Sequence, residues 1–137
     1  MRILAIDHGE KRIGVALSDP TATFAQPLVV LERKAKLRQD LRGIAALCRE
    51  YEVEEIVIGL PLDMNGTVGA KAQEVRGFAE RLQETTGLPV VEWDERLSTV
   101  AAERALIEAG VRRKKRKQVV DKTAAALILS SYLDSRR

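Results

Sequence analysis

Cysteine and histidine are almost absent from this chain. Its 137 residues include one cysteine, Cys48, and one histidine, His8. A single cysteine excludes a disulfide within the chain and suits a reducing compartment, so we expect a cytoplasmic protein. A zinc site is excluded as well, because it would need several cysteine or histidine ligands. Cys48 falls on the apolar stripe of a predicted helix, and we expect it in the core.

Aromatic residues and long hydrophobic runs are also scarce. Phe, Trp and Tyr make up 4% of the chain and are scattered, so the sequence shows no aromatic platform on which bases could stack. No segment approaches the roughly 18 consecutive apolar residues of a membrane span. The N-terminal apolar stretch is too short for a signal peptide. We therefore expect a protein that is not integral to a membrane.

The remaining composition is that of an ordinary globular domain. Hydrophobic residues account for 45% of the chain and charged residues for 31%, which is typical of soluble proteins. A length of 137 residues is sufficient for one buried core. Neither repeats nor linker-like segments interrupt the pattern. We expect residues 1–137 to form a single domain.

Positive charge is concentrated in one segment. The net charge is +3, and six consecutive residues are basic, so the rest of the chain carries −3. Such a segment attracts polyanions, because binding releases their condensed counterions. A charge run can also be no more than a solvated loop. We predict that this one binds nucleic acid, with an affinity that falls steeply with salt. Its residues are Arg112, Arg113, Lys114, Lys115, Arg116 and Lys117.

Hydrophobic periodicity predicts five strands and four helices. Alternating or apolar runs indicate strands over residues 1–6, 12–18, 28–31, 55–60 and 89–93. Apolar residues at helical spacing indicate helices over residues 35–51, 68–86, 99–110 and from 120 onward. Ser98 and Thr99 are interpreted as caps of the third helix and not as nucleophiles, because no histidine is placed to activate them. The basic segment is expected to be a loop before the last helix.

This order of elements predicts an α/β fold. A three-strand meander followed by alternating helices and strands gives a five-stranded mixed sheet flanked by helices, with the first three strands antiparallel. Right-handed crossovers place the fourth and fifth strands parallel to the first. The strand ends at Asp7, Gly59 and Glu95 then share one edge of the sheet. The first turn of the last helix is expected to bring Asp121 to that edge.

Three carboxylates are thus expected to meet at one edge: Asp7, Glu95 and Asp121. Each has an ordinary explanation by itself, as a turn former, a surface ion-pair partner or a residue favoured by the helix dipole. Together they favour a cation site, because ionised carboxylates repel unless something positive lies between them. Oxygen ligands suit Mg²⁺ or Mn²⁺, and such sites perform phosphodiester hydrolysis. We predict that these three residues hold the metal and are catalytic.

The groups near these acids have two interpretations each. Residues 59–67 join a strand to a helix, where backbone N–H groups attract phosphate; they could also form an ordinary Asn-Gly turn with Thr67 as the helix cap. Arg12 could bind a phosphate from the first hairpin or simply lie on the strand surface, and we keep it as a candidate nucleic-acid contact. His8 is expected to point away from Asp7 and to have a packing or turn role.

Four ordered motifs resemble the YqgF (RuvX) family. They are Ile6-Asp7-His8-Gly9 with Lys11-Arg12-Ile13-Gly14-Val15-Ala16, then Gly59-Leu60-Pro61-Leu62, Asp94-Glu95-Arg96-Leu97-Ser98-Thr99 and Val120-Asp121-Lys122. The resemblance covers essentially the whole chain. It implies a ribonuclease H-like fold, a relation to RuvC Holliday-junction resolvases and a nuclease that matures the 5′ end of precursor 16S rRNA. Asp7, Glu95 and Asp121 fall on the family's acidic positions.

Two departures from related proteins concern the acids. The loop at residues 62–66 has Asp63 where the family pattern has its acid two residues later, so the role of Asp63 stays open. Related resolvases often carry a fourth acid one turn after the last Asp, and that residue here is Ala124. Glu95 also follows a strand two away from the first, at a Cα separation of about 10 Å. We therefore expect weak metal binding without substrate.

Four functions fit these residues. The leading one is a metal-dependent endonuclease that processes precursor 16S rRNA during ribosome biogenesis. A Holliday-junction resolvase would use the same chemistry on four-way DNA. A phosphotransferase is the third, because actin-like folds also open with an Asp-x-Gly hairpin, although they need two such domains. The fourth is a non-catalytic RNA-binding assembly factor, which would bind through residues 112–117 without cleaving.

Overall fold

The computed structural model describes residues 1–98 and 113–136, and the side chains of residues 1–98 and 124–136. The strands in these ranges are β1 (Arg2–His8), β2 (Arg12–Ser18), β3 (Ala25–Glu32), β4 (Val53–Leu60) and β5 (Val90–Asp94). The helices are α1 (Leu37–Glu50), α2 (Ala70–Thr86) and α3 (Arg113–Ser135), and a 3₁₀ turn covers Glu95–Leu97. None of these described helices combines the length and apolar character that crossing a lipid bilayer requires.

The strands form one mixed sheet in the order β3-β2-β1-β4-β5. β1 pairs antiparallel with β2, and β2 pairs antiparallel with β3. β4 is parallel to β1, and β5 is parallel to β4. Helices connect β3 to β4 and β4 to β5. The second connection is a crossover, because β4 and β5 are parallel neighbours and a hairpin cannot join them. The predicted five-stranded sheet, with its first three strands antiparallel, is confirmed.

Alternation along the strands divides the core into two parts. On β1, Leu4 and Ile6 belong to one buried cluster, and Ile3 and Ala5 belong to the other. The first cluster is completed by α1 and α2, so we call that side of the sheet the α1–α2 face. The second is completed by α3 and is called the α3 face. Each face is thus closed by its own helices.

The α1–α2 face is filled mostly by large apolar side chains. Cys48 is buried among them, as predicted, and α2 ends at Gly87 in a left-handed conformation with φ of 72°. This conformation suits glycine at a helix C-terminus. The buried helix residues on this face are Leu41, Ile44 and Cys48 from α1 and Ala72, Val75, Phe78, Ala79 and Leu82 from α2.

The α3 face has smaller side chains. Ala5 and Ala16 line the sheet, and Ala124 and Ala125 lie on the helix side of the same cluster. Small residues let a helix backbone approach a sheet closely, so packing here depends on a good fit between surfaces. Three larger helix residues complete the cluster: Ile128, Leu129 and Leu133.

α3 begins earlier than the sequence pattern predicts. The helix starts at Arg113, so residues 113–117 lie in its first turns and the predicted loop is wrong. Lys and Arg have high helix propensity, but a run of like charges has no hydrophobic periodicity, which placed the start near Val120. Asp121 is consequently in the third turn and not in the first. The predicted helix over residues 99–110 lies outside the described residues.

Candidate active site

Asp7 is the penultimate residue of β1, and strand alternation places its side chain on the α3 face. The residue is only 1% exposed, which is rare for a carboxylate. Gly14 lies directly opposite on β2. On β4, the ladder position after Ile58 is Gly59, so the other neighbouring strand also carries a glycine beside Asp7. Asp7 therefore has a glycine beside it on each neighbouring strand.

Glu95 follows β5 at the start of the 3₁₀ turn, and its side chain lies over Gly59. A methyl group added to Gly59 would lie 2.9 Å from Oε1 of Glu95 and 2.6 Å from Cδ1 of Ile128. β5 is two strands from β1, as predicted. The Glu95 side chain extends from β5 toward β4, which is about 4.8 Å away. Its carboxylate therefore lies over Gly59, the β4 residue beside Asp7. Gly59 belongs to one of the four sequence motifs, but the sequence does not reveal that the Glu95 side chain lies over this glycine.

Asp121 lies on α3. It precedes Ile128 by seven residues, which is two helical turns, so the two residues share a face about 10.5 Å apart along the axis. Ile128 itself packs over Gly59. The Asp121 side chain is outside the described side chains, so its meeting with Asp7 and Glu95 stays a prediction.

The donor atoms at this edge are those that a hard cation prefers. Asp7 and Glu95 supply carboxylate oxygens, whereas His8 and Cys48 pack on the α1–α2 face. Mg²⁺ retains several water ligands and needs few protein carboxylates, so the two described acids fit it. Among the side chains that the structure describes, no three His, Cys, Asp or Glu residues form a group able to hold a metal. Asp121 as a third protein ligand stays a prediction from the sequence.

Ala124 occupies the position at which related resolvases often carry a fourth acid. It is 2% exposed and belongs to the apolar cluster under α3. An acidic side chain there would place a charge in apolar surroundings, which is costly without a partner. The position serves packing in this chain, and the expectation of weak metal binding without substrate stays a prediction.

The turn that carries Glu95 is fixed by polar contacts on both sides. The Asp94 carboxylate accepts hydrogen bonds from the Arg96 N–H at 2.9 Å and from the Arg96 guanidinium at 2.8 Å. The Arg96 side-chain hydrogen bond is the main reason that the pKa of Asp94 is lowered. The hydroxyl and N–H of Ser98 donate to the Glu95 carbonyl at 2.9 and 3.1 Å. Ser98 thus closes this turn; Thr99, the other candidate cap, lies outside the described residues.

Ser131 of α3 ties the same turn to the helix. Its hydroxyl donates to the Leu97 carbonyl at 3.0 Å and accepts from Nε1 of Trp93 at 3.1 Å. Trp93 also packs edge-on against Tyr132, with ring centroids 5.4 Å apart. Ser131 and Leu97 are 34 residues apart in the chain. No local sequence signal could have revealed this bridge, because it exists only once α3 lies on the sheet.

Asp63 and Thr67 close the loop between β4 and α2. The Thr67 hydroxyl donates to the Asp63 carboxylate at 3.0 Å, and the Asp63 N–H donates to the Thr67 carbonyl at 3.0 Å. The cap residue of α2 is Gly69, so Thr67 is not the helix cap that one of the two interpretations of this loop offered. Its hydroxyl is used inside the loop instead. These contacts give Asp63 a structural role, and phosphate binding by the loop stays a prediction.

An ion pair between Arg33 and the buried carboxylate of Asp40 holds the turn that follows Asp7. Nε of Arg33 donates to the Asp40 carboxylate at 3.1 Å, and Asp40 is 4% exposed. Nη1 of Arg33 also donates to the Gly9 carbonyl at 3.0 Å. Breaking such a pair is costly because it leaves a buried charge uncompensated. The sequence did not single out either residue, since neither belongs to a motif or stands out from its charged neighbours.

His8 points away from Asp7, as predicted. Its ring packs on Phe78 with centroids 4.5 Å apart. The pKa of His8 is lowered below 6.5, chiefly by burial and next by the positive charge of Arg33. The neutral imidazole is therefore favoured at neutral pH, as a packing role requires.

The candidate nucleic-acid contacts stay predictions. Nε of Arg12 donates to Glu32 at 3.3 Å, and the Arg12 side chain is 10% exposed, so this residue is paired across β2 and β3. Residues 113–117 lie in the first turns of α3. Their side chains, and all of Arg112, are outside the described part of the chain.

Comparison with known proteins identifies a family. Residues 1–135 match the RuvX family, described as Holliday junction resolvase. A Syntrophomonas wolfei protein named "Putative pre-16S rRNA nuclease" is 54% identical over 134 residues, which cover 98% of this chain and 94% of that protein. A Desulforamulus reducens protein of the same name is 53% identical over 135 residues, which cover 98% of both chains.

Solved structures show the fold. RuvC of Thermus thermophilus, in complex with a Holliday junction substrate, has a TM-score of 0.62 at 16% identity and covers 99% of this chain and 96% of its own. A ROK hexokinase from the same organism has a TM-score of 0.50 at 22% identity, over 77% of this chain and 38% of its own. The fold is thus ribonuclease H-like, as expected. The family match over residues 1–135 and the sequence identities of 54% and 53% show that the chain belongs to the RuvX family.

Proposed function

We propose that this chain is a metal-dependent endonuclease that hydrolyses phosphodiester bonds and processes the 5′ end of precursor 16S rRNA in the cytoplasm. The observation that carries the proposal is the placement of Asp7 and Glu95 beside Gly59, where both offer carboxylate oxygens. Relatives more than 50% identical carry the name of a pre-16S rRNA nuclease, which supports the choice of substrate. Residues 1–137 would act as one nuclease domain.

Each acid has its own task in this proposal. Asp7 lies on a central strand that is paired on both sides, so its carboxylate is held in place before substrate binds. Glu95 reaches the site from a short turn after β5, and Asp121 is the proposed third ligand from α3. When bound, Mg²⁺ or Mn²⁺ supplies an activated water and stabilises the charge that builds on the leaving oxygen.

The basic segment is proposed to hold the RNA. Residues 112–117 carry six positive charges and adjoin the helix that bears Asp121. Contacts of this kind are made to phosphates, so the affinity should fall steeply with salt and depend little on base sequence. Arg12 would add a phosphate contact from the sheet if RNA displaces its partner Glu32.

The test is cleavage of a precursor 16S rRNA fragment with Mn²⁺ or Mg²⁺, with the new 5′ ends mapped. We expect Asp7→Asn and Glu95→Gln each to abolish metal-dependent cleavage, because each removes a charged oxygen ligand. RNA binding should remain, because the basic segment is intact. Arg76→Ala is the control, since it breaks a surface ion pair with Glu92 outside the site.

Two results would count against this function. Undiminished cleavage by either acid variant would mean that these carboxylates are not the catalytic ones. RNA binding that needs residues 112–117, without any metal-dependent product from the wild type, would instead indicate a non-catalytic assembly factor.

A Holliday-junction resolvase is the second candidate. The observation that favours it is the likeness in fold to RuvC over 99% of this chain. The same acids would then act on four-way DNA. A four-way junction and the precursor rRNA should be compared at the same salt concentration, because phosphate contacts make both affinities depend on salt. Faster cleavage of the junction would favour the resolvase.

A further inference from the structure

Arg96 stands next to Glu95 and connects two segments at the site edge. Its guanidinium faces the Asp94 carboxylate, with Nε 3.1 Å from both carboxylate oxygens and Nη2 2.8 Å from Oδ2. Nη1 donates to the Met64 carbonyl at 3.4 Å, across 32 residues of sequence. Arg96 therefore bridges the end of β5 and the loop at residues 62–69.

The loop is shaped to receive this guanidinium. Gly66 has a φ of +85°, in the left-handed region. A methyl group at Gly66 would lie 3.3 Å from Nη1 and 3.4 Å from Nη2 of Arg96. The Gly66 N–H donates to the Asp63 carbonyl at 2.8 Å, which closes the turn. Glycine thus meets two requirements at one position, the positive φ and the close approach of Arg96.

Glu95 is seated on the last part of β4, and Arg96 on the loop that follows this strand. Glu95 lies over Gly59, and Arg96 lies over Gly66. A 3₁₀ turn of three residues has few hydrogen bonds of its own, so tertiary contacts decide where its side chains point. Fixing Arg96 on the loop fixes the adjoining backbone of Glu95. The Arg96 contacts therefore fix the point from which the Glu95 side chain extends toward Gly59 of β4.

We propose that Arg96 is a positioning residue, which holds the Glu95 carboxylate over Gly59 by clamping the 3₁₀ turn between Asp94 and the loop at residues 62–69. The inference rests on the proposed function, in which Glu95 is a metal ligand. The Arg96 guanidinium is then engaged by Asp94 and the loop, and it does not bind an RNA phosphate. Residues that orient metal ligands typically change metal affinity or rate by roughly 10- to 100-fold when they are replaced.

Three variants separate these roles. Arg96→Ala removes the clamp. Arg96→Lys keeps the charge, but an ammonium group cannot pair with a carboxylate in the same two-pronged way. Asp94→Asn removes the negative charge with which the Arg96 guanidinium pairs. The matched control is Arg76→Ala, because Arg76 is also partly exposed and pairs with a β5 carboxylate, that of Glu92, at 3.3 Å.

Two measurements should change together. In cleavage of precursor 16S rRNA, Arg96→Ala is expected to lower kcat roughly 10- to 100-fold with little change in KM. In calorimetric titration with Mn²⁺ alone, it is expected to weaken binding about tenfold. Arg96→Lys should resemble Arg96→Ala in both measurements. Asp94→Asn should give values between those of Arg96→Ala and the wild type, and Arg76→Ala should match the wild type. Thermal unfolding checks each fold, and Asp94→Asn carries the comparison if Arg96→Ala unfolds.

Other outcomes overturn the proposal. A raised KM that Arg96→Lys restores would mean that Arg96 contacts RNA, and Asp94→Asn would then lower KM by releasing the guanidinium. Unchanged kcat and Mn²⁺ binding in Arg96→Ala would overturn it equally. Asp7→Asn tells the two failures apart. If Asp7→Asn still cleaves, the nuclease proposal fails; if it is inactive while Arg96→Ala equals the wild type, only the positioning role fails.

Discussion

The two faces of the sheet are built from different side chains and serve different purposes. The α1–α2 face buries large residues such as Phe78 and Leu82, which remove much apolar area from water. The α3 face is lined by smaller residues such as Ala16 and Ala125. The small side chains allow α3 to approach the sheet closely, although this face also buries Ile128, Leu129 and Leu133. The candidate acids Asp7 and Glu95 are on this side of the sheet.

Adjacent residues of β1 show the same division. Asp7 is on the α3 face, between glycines of the neighbouring strands. His8 is on the α1–α2 face and packs on Phe78. Because successive side chains of a strand point to opposite sides, one strand end delivers an acid to the site and a neutral ring to the core.

Gly59→Ala should have the largest effect, because it changes the α3 face beneath the site. The added methyl group would meet Ile128 at 2.6 Å and Glu95 at 2.9 Å, so both side chains must shift. We expect cleavage to fall roughly 100-fold and the free energy of unfolding to fall by about 1–3 kcal/mol. Cleavage assays and urea unfolding measure these effects. Wild-type cleavage would show that the site does not need this glycine.

Leu82→Ala is the corresponding change on the α1–α2 face. Leu82 is fully buried, so truncation should lower the free energy of unfolding by about 2–5 kcal/mol. The proposed acids are on the other side of the sheet, and the folded fraction should therefore cleave at the wild-type rate. Urea unfolding and a cleavage assay at low temperature test this. If cleavage falls by more than the unfolded fraction explains, the two faces are coupled.

His8 makes the stability of the α1–α2 face depend on pH. The pKa of folded His8 is lowered below 6.5, chiefly by burial, so the unfolded chain takes up its proton at a higher pH than the folded chain. The stabilising contribution is complete above pH 6.5 and declines as the pH falls from there through the folded pKa.

The single histidine makes this measurement direct. An NMR titration of its ring C–H signal gives the pKa of the folded protein without assignment. Urea unfolding at several pH values should show a smaller loss of stability on acidification for His8→Phe than for the wild type. A folded pKa at or above 6.5 would contradict the burial argument.

Gly77→Ala in α2 should have the smallest effect, with the opposite sign. A methyl group there would meet nothing within 4 Å, so the change mainly removes backbone freedom from the unfolded chain. The free energy of unfolding should rise by about 0.5–1 kcal/mol, with cleavage unchanged. Thermal unfolding checks this, and Gly43→Ala in α1 is an independent repeat. A loss of stability in both would refute the argument that these two positions accept a methyl group without strain.

Much of the fold could be predicted because its signals are local. The alternation in β2 and the apolar spacing of α1 are properties of short segments, and both elements lie where the pattern placed them. β3 covers Ala25–Glu32, whereas the pattern predicts only residues 28–31, because Gln26 and Pro27 have no apolar signal but still pair with β2. The start of α3 was misplaced for a similar reason, since charge hides a helix from a test based on hydrophobicity.

The candidate site was only partly accessible from the sequence. Asp7, Glu95 and Asp121 could be named, because they lie near the ends of predicted elements and belong to recognisable motifs. The bridge through Ser131 and the seat at Gly59 could not. Each depends on atoms from distant segments meeting at a particular distance, and that distance follows from how α3 and β5 lie against the sheet.

The sequence by itself determined the α/β order, the three acids and the resemblance to a family, because each is written in short patterns of residue type. Only the tertiary structure decided that Glu95 lies over Gly59 and that Arg96 is held between Asp94 and a loop 32 residues earlier in the chain. The physical reason is that the sheet order brings β1, β4 and β5 side by side. Contacts that depend on this neighbourhood do not exist until the chain has folded.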